Sequence, residues 1–288
     1  MSDAWKPDQY ERFGDERAKP FFDLLDLVAP VPGGRIVDLG CGPGTLTVHL
    51  NERLGASLVV GIDSSVAMLS AASAAGRAVP GSVEFRAGDL ATFAGLAEPD
   101  GGACVGDGRV DVVVANASLH WVPEHREVLS RWIGALAPGG QVAVQVPANP
   151  DHPSHTVAVE VAAEMAVDPE WADAFAPCPA NPAGGPPPDP VARNVADPAT
   201  YATWLYELGC VEQHVRLQVY GHVLADTEEV VEWVKGTSLT RFASALAARP
   251  DAYDELVRRY RIRLPERLGR QTPYFYPFKR ILFWGRLP

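Results

Sequence analysis

The sequence predicts an α/β protein: a doubly wound parallel sheet with helices on both faces and a helical cap inserted near the C-terminus. Three observations carry that expectation. Between residues 36 and 146, short apolar runs alternate with segments of helical periodicity, the rhythm of strand–helix–strand units. The first run passes into alternating glycines, Gly40, Gly42 and Gly44, which let a backbone turn tightly and approach a ligand closely. Polar residues, Asp63, Asp89 and Asn116, follow at the ends of later runs, where ligands sit in such sheets.

The elements read in order as follows. Residues 5–29 form a helical lead-in with Phe21, Phe22, Leu24, Leu25 and Val28 at helical spacing. Residues 36–39 are the first strand and 45–54 a helix. A second strand, 57–62, ends beside Asp63, and an Ala-rich helix over 65–75 carries Met68 and Leu69 on its apolar side. The third strand, 83–87, stops just before Asp89, and the fourth, 110–115, runs into Asn116. A helix over 128–136, ended by Pro138-Gly139-Gly140, leads to a fifth strand at 141–146.

The second half is less regular. A helix over 154–166 opens at Pro153, and 176–190, with seven prolines and two glycines, reads as an extended surface loop. A short helix at 201–208 stops at Gly209, and 211–224 has strand character. Residues 227–264 are helical again, interrupted near Pro250 and ended by Pro265, and 280–284 close the chain as a strand. The expected division is an N-terminal helical lid over 1–30, a ligand-binding core over 31–150, and 151–288 as cap helices plus a C-terminal strand pair completing the sheet.

Composition narrows the function. The 288 residues suffice for one large domain or two, and no apolar run reaches the ~18 residues of a membrane span. The N-terminus lacks a charged-then-apolar signal pattern, so a cytoplasmic location is expected. Cys41, Cys104, Cys178 and Cys210 are scattered without a paired spacing, which argues against a disulfide framework or zinc knuckle. A net charge of −11 argues against a nucleic-acid surface. Residues 235–280 nevertheless carry eleven Lys/Arg against four acids, a local +7 that leaves −18 for the remainder. An anionic small molecule can use such a patch, and solvated arginines on exposed helices account for most of it equally simply.

The glycine turn by itself indicates only a nucleotide-like cofactor. Thr45 stands where a dinucleotide enzyme of the G-x-G-x-x-G type carries its third glycine. Asp63 is placed to accept from both ribose hydroxyls, and Asp89 to accept from an adenine amino group. Helix capping or a turn explains Asp89 or Asn116 singly. It does not explain polar residues at four successive strand ends, Asp38, Asp63, Asp89 and Asn116.

Together, Asp38-Leu39-Gly40-Cys41-Gly42-Pro43-Gly44, Gly61-Ile62-Asp63-Ser64-Ser65 and Gly88-Asp89 resemble the first three motifs of class I S-adenosylmethionine-dependent methyltransferases, with their Rossmann-like methyltransferase sheet. Residues 115–123 (Ala-Asn-Ala-Ser-Leu-His-Trp-Val-Pro), 136–140, and 144–147 with 153–155 resemble the trans-aconitate 2-methyltransferases. Trp5, Tyr10, Phe13, Arg17 and Pro20 match that family's opening pattern, and Gly236-Thr237 and Tyr276-Pro277-Phe278-Lys279-Arg280 its C-terminal end. The match is dense over 5–155 and sparse afterwards. Residues 99–109 read as an extra loop, and 176–190 as longer than the family's usual connection.

The resemblance implies that S-adenosyl-L-methionine, and S-adenosyl-L-homocysteine as product, lie on Asp38, Gly40, Cys41, Gly42 and Gly44 of the first turn. It extends the same cofactor site to Asp63, Ser64, Met68, Asp89, Leu90 and Asn116. It implies O-methylation of a carboxylate on trans-aconitate or a similar small polycarboxylic acid. A carboxylate is ionised at neutral pH and needs no general base. Substrate carboxylates call for arginines: Arg17 first, then Arg241 and Lys279 or Arg280, the last equally readable as a surface strand residue. Tyr10, His120 and Trp121 complete the implied substrate side, with His120 a wall residue rather than a base. Tyr10 reads equally as a core tyrosine and Trp121 as packing against cofactor or core. The alternative is methyl transfer to another small molecule, a hydroxyl, amine or carbon centre, which would raise His120 in importance. An idle cofactor-binding protein is a third reading, which the intact turn opposes. Asp151, His152 and His155 superficially suggest metal ligands, but capping of the helix after Pro153 accounts for them and no metal is expected.

Overall fold

The computed structural model describes residues 14–76, 83–96 and 109–288. Tyr10 and residues 99–108 of the expected extra loop lie outside them. Seven strands form one sheet in the order β3-β2-β1-β4-β5-β7-β6. They are β1 (Arg35–Leu39), β2 (Leu58–Asp63), β3 (Val83–Ala87), β4 (Val110–Asn116), β5 (Leu136–Pro147), β6 (Glu212–Leu224) and β7 (Tyr274–Arg286). The first five pair in parallel, and β7 runs antiparallel to β5. The chain works outward from β1 to β3 and then returns to β4. The order therefore reverses between β1 and β4, and their carboxyl ends flank the switch point where such sheets bind ligands.

The helices are α1 (Gly14–Leu25), α2 (His49–Leu54), α3 (Val66–Gly76), α4 (His125–Gly134), α5 (Pro153–Met165), α6 (Pro190–Asn194), α7 (Pro198–Glu207), α8 (Glu229–Lys235), α9 (Thr240–Ala245) and α10 (Pro250–Leu268). Two compact units emerge. One holds residues 15–148, 194–219 and 279–288. Its core gathers Val37, Leu39, Val113 and Val144 of the central strands with Trp132, Tyr201 and Phe283. The other includes residues 149–193 and 220–278 and has its own core of Val157, Met165, Trp233, Phe242, Tyr260 and Tyr276.

Several boundaries differ from the sequence expectation, each for a local reason. The helix expected from 45 begins only at His49, because the preceding residues close i→i+3 turns, with His49 N–H on Leu46 O and Leu50 N–H on Thr47 O. The helix expected over 128–136 is α4, ending at Gly134, and β5 starts at Leu136 rather than 141. Gly139 (φ +73°) bends that strand, and its N–H on Pro288 O (2.8 Å) holds the bend in place. Pro265 does not end α10, which continues to Leu268 and stops at Gly269 (φ +75°). Leu264 and Pro265 are buried there, so packing offsets the lost backbone bond. The proline-rich 176–190 is not wholly a surface loop. Cys178 and Asn181 close a tight turn, and Asp189 is buried.

The basic segment is largely neutralised within the second unit. Arg249 pairs with Asp173 and Asp251, Arg259 with Asp168 and Glu255, Arg261 with Glu232, Arg263 with Glu164 and Arg267 with Glu160. Most of these pairs are exposed on at least one side, and such pairs contribute little stability individually.

Candidate active site

The turn after β1 is shaped by sterics on both sides. Gly40, Gly42 and Gly44 all take left-handed backbone, φ +75°, +56° and +75°. A Cβ at Gly40 would lie 2.3 Å from Ser118 Cβ, and one at Gly44 2.5 Å from the Phe85 ring. Those two glycines let the turn press against Ser118, just beyond β4, and against Phe85 in the middle of β3. A Cβ at Gly42 would meet nothing within 4 Å, so the middle of the turn shows bare backbone to open space. Ser118 Oγ donates to Leu39 O (2.6 Å), tying the two lips of the switch point together.

Asp38 lies beneath this turn and is buried. Burial pushes its carboxyl up, the hydrogen bond from Thr47 Oγ1 (2.6 Å) opposes that, and the Asp63 charge adds to it, leaving it at about 6. Burial, with the charges of Asp38 and Asp63, also pushes the Cys41 thiol well up, so Cys41 is no thiolate nucleophile.

Asp63 is a clip as well as a strand-end acid. Its Oδ2 accepts from Gly42 N–H (2.9 Å) and its Oδ1 from Ser65 N–H (2.8 Å). Each oxygen retains a second lone pair, and the carboxylate is half-buried beside the turn. Ser64 is exposed, while Ser65 Oγ caps α3 by accepting from Met68 N–H (3.1 Å). The Met68 side chain is buried. Asp89 is exposed, with Oδ1 accepting from Ala91 N–H (2.8 Å) in a local turn. Leu90, half-buried, accepts from Trp132 Nε1 through its carbonyl (2.8 Å).

Beyond β4, Ala117 takes a left-handed conformation (φ 54°), and its N–H donates to Gln145 O (2.9 Å). Gln145 faces Asn116 across the β4–β5 ladder and Leu282 across β5–β7. Its side chain bridges three strands. Gln145 Nε2 donates to Asn116 Oδ1 (2.8 Å), and Arg280 Nη1 donates to Gln145 Oε1 (2.9 Å). Arg280, expected as either a surface or a site residue, is buried. Lys279, its neighbour, is half-buried.

His120 and Trp121 form a single turn at Leu119–Trp121, their rings 4.9 Å apart. His120 is buried, and its carbonyl accepts from Asn194 Nδ2 (2.9 Å). Arg17 lies on α1.

Arg241 belongs to the other unit, nine-tenths buried on α9. Nη1 donates to Ser238 O (2.7 Å), and Nη2 stands 3.7 Å from Asp189 Oδ2. Burial pushes the Asp189 carboxyl up, but the hydrogen bond from His155 Nδ1 (2.7 Å) and the charges of His155 and Arg241 outweigh it and hold Asp189 at about 2. Two of the three residues that superficially suggest metal ligands thus take separate roles. His155 pairs with Asp189, and His152 caps α5, accepting from Ser154 N–H (3.1 Å). Sequence reasoning gave no role to Gln145 or Asp189, the partners of Asn116 and Arg241. A glutamine inside Val-Ala-Val-Gln-Val was a readable signal, whereas Asp189 was hidden among prolines.

The carboxyl ends of β1, β2 and β3 thus present bare turn backbone and carboxylates with unused lone pairs, which fits a nucleoside bearing ribose hydroxyls and an amino group. Residues 36–140 match the family described as a methyltransferase domain, and the chain is a class I S-adenosylmethionine-dependent methyltransferase. A trans-aconitate 2-methyltransferase of Mycobacterium sp. (strain KMS) is 36% identical over 288 residues, covering 98% of this chain and 99% of the relative. The chain belongs to that family. Two solved structures share the fold. The YcgJ protein from Bacillus subtilis has a TM-score of 0.56 at 13% identity, covering 94% of this chain and 98% of that one. Haemonchus contortus phosphoethanolamine N-methyltransferase 2, solved with S-adenosyl-L-methionine, has a TM-score of 0.51 at 16% identity, covering 94% and 52%. No helix among the described residues is long and apolar enough to cross a membrane.

Proposed function

We propose that the protein esterifies a carboxylate of trans-aconitate or a closely similar small polycarboxylic acid. The observation that carries this is the 36% identity to a trans-aconitate 2-methyltransferase over nearly the whole of both chains. The geometry supports it: the carboxyl end of β4 carries an amide linked through one glutamine to a buried guanidinium, chemistry suited to anions.

S-adenosylmethionine supplies an electrophilic methyl group when bound. In this reading Asp63, kept in place by Gly42 and Ser65, accepts from the ribose hydroxyls, and Asp89 from the adenine amino group. The turn over 40–44 and Asp38 line the amino-acid end. The acceptor carboxylate arrives already ionised, so these residues align and exclude water, and none takes a proton. His120 and Trp121 wall the acceptor side. The roles of Tyr10, Arg17 and Arg241 toward substrate rest on the sequence pattern, with a buried guanidinium at Arg241 in support. A net charge of −11 favours a small molecule over nucleic acid as partner.

The test is methyl transfer from labelled S-adenosylmethionine to trans-aconitate, cis-aconitate, citrate and isocitrate. Ester formation on one of them is expected. Turnover on none, with cofactor still bound, overturns the substrate and promotes a hydroxyl, amine or carbon acceptor.

A further inference from the structure

Which way the Asn116 amide faces is decided two strands away. A guanidinium carries N–H donors and no acceptor. Arg280 Nη1, 2.9 Å from Gln145, must therefore meet the glutamine's oxygen. The glutamine NH2 then points to Asn116 at 2.8 Å, where only a carbonyl oxygen can receive it. The Asn116 NH2 group is consequently turned away from β5, and no described residue accepts from it. Gln145 is fully buried in a strand of valine and alanine, a place where an amide is costly unless both its ends are bonded. Both ends are bonded, one to each neighbouring strand. The ladder supports the same geometry: Gln145 opposes Asn116 in the β4–β5 register, and Arg280 sits diagonally, two residues from its β7 partner Leu282.

We propose that Gln145, held by Arg280, is a positioning residue that presents the Asn116 amide as a hydrogen-bond donor at the carboxyl end of β4, so that the site takes a ligand offering an acceptor oxygen there, a carboxylate of the substrate. This moves Asn116 from the cofactor, where family resemblance put it, to the methyl acceptor. It rests on the polycarboxylate reading above and adds to it a polarity rule: an acceptor atom is favoured at this position and a donor atom disfavoured.

Gln145→Glu tests it. Glutamate has nearly the same volume and pairs more strongly with Arg280, so folding is retained. It offers only acceptors, so Asn116 must rotate to give it the NH2 group and show its oxygen to the ligand. The expected result is an unreduced Tm, a Kd for S-adenosylhomocysteine within about twofold of wild type, and a KM for the acid raised at least tenfold with a smaller change in kcat. Gln145→Leu, which frees Asn116 to turn either way, should raise KM less. An unchanged KM in Gln145→Glu overturns the inference. So does a change in cofactor Kd without one in KM, since Asn116 would then serve the cofactor. Calorimetric binding of the same acids to protein loaded with S-adenosylhomocysteine separates this from the substrate reading. Acids bound but never methylated overturn the substrate and leave the Gln145→Glu comparison decisive. Acids bound equally by both proteins overturn the orientation alone, and no binding by wild type overturns both.

Discussion

Asp38 and Asp189 are two buried carboxylates whose environments push them in opposite directions, and each gives stability a different pH dependence. Asp38 titrates near 6 when folded against 3.8 ordinarily, so between those values the folded chain holds the extra proton. Its contribution therefore worsens as pH rises from about 4 to about 6, and at pH 7 a shift of that size costs about 3 kcal/mol. Asp38→Asn keeps an oxygen for Thr47 and removes the charge, so Tm at pH 7.5 should rise, with the gain vanishing near pH 4 in thermal scans. Asp189, held at about 2, has the reverse sign. Its contribution is complete above about pH 4 and is lost as pH falls through 2. Asp189→Asn leaves Arg241 buried without its counter-charge, and denaturant titration should show a loss of about 3–5 kcal/mol. Asp63→Ala removes both the backbone clip and the proposed ribose acceptor, and calorimetry should show S-adenosylmethionine binding weakened at least tenfold.

Among the elements, the glycine turn separates steric need from ligand access. Gly40→Ala sets a Cβ 2.3 Å from Ser118 on left-handed backbone and should cost well over 2 kcal/mol in stability as well as binding. Gly42→Ala meets only the backbone strain, about 1–2 kcal/mol, so its loss of cofactor affinity should exceed its loss of stability. This turn was legible in the sequence because alternating glycines after an apolar strand have few other uses. The strands were legible too, since β1, β2 and β4 are buried on both faces and read as continuous apolar runs. What was illegible depended on turns and contacts that periodicity does not show. The late start of α2 reflects local turns and the Thr47–Asp38 bond, α10 passes Pro265 because its last turn is buried, and Asp189 is drawn inward by His155 and Arg241.

At the scale of the molecule, each unit is assembled from separated stretches of chain, so neither can be released by one cut. A chain ending at Ala148 lacks Tyr201, Leu205, Ile281 and Phe283, all members of the core around β4 and β5. Size-exclusion chromatography and circular dichroism should find it aggregated rather than folded, because one long edge of β5 is left bare. The paired arginines of the second unit predict only a small change in Tm between low and high salt.

The antiparallel strand β7 has a consequence for how such an enzyme can change. It lies between β5 and the edge strand β6, packs Ile281 and Phe283 into the core and, one residue before Ile281, anchors the amide relay with Arg280. The relay's hydrogen bonds run across β4, β5 and β7, whereas the glycine turn follows β1. On the proposed reading, substitutions at 145 on β5 or 280 on β7 shift acceptor preference while leaving cofactor affinity unchanged, which makes this strand pair the natural place for new substrates to be acquired.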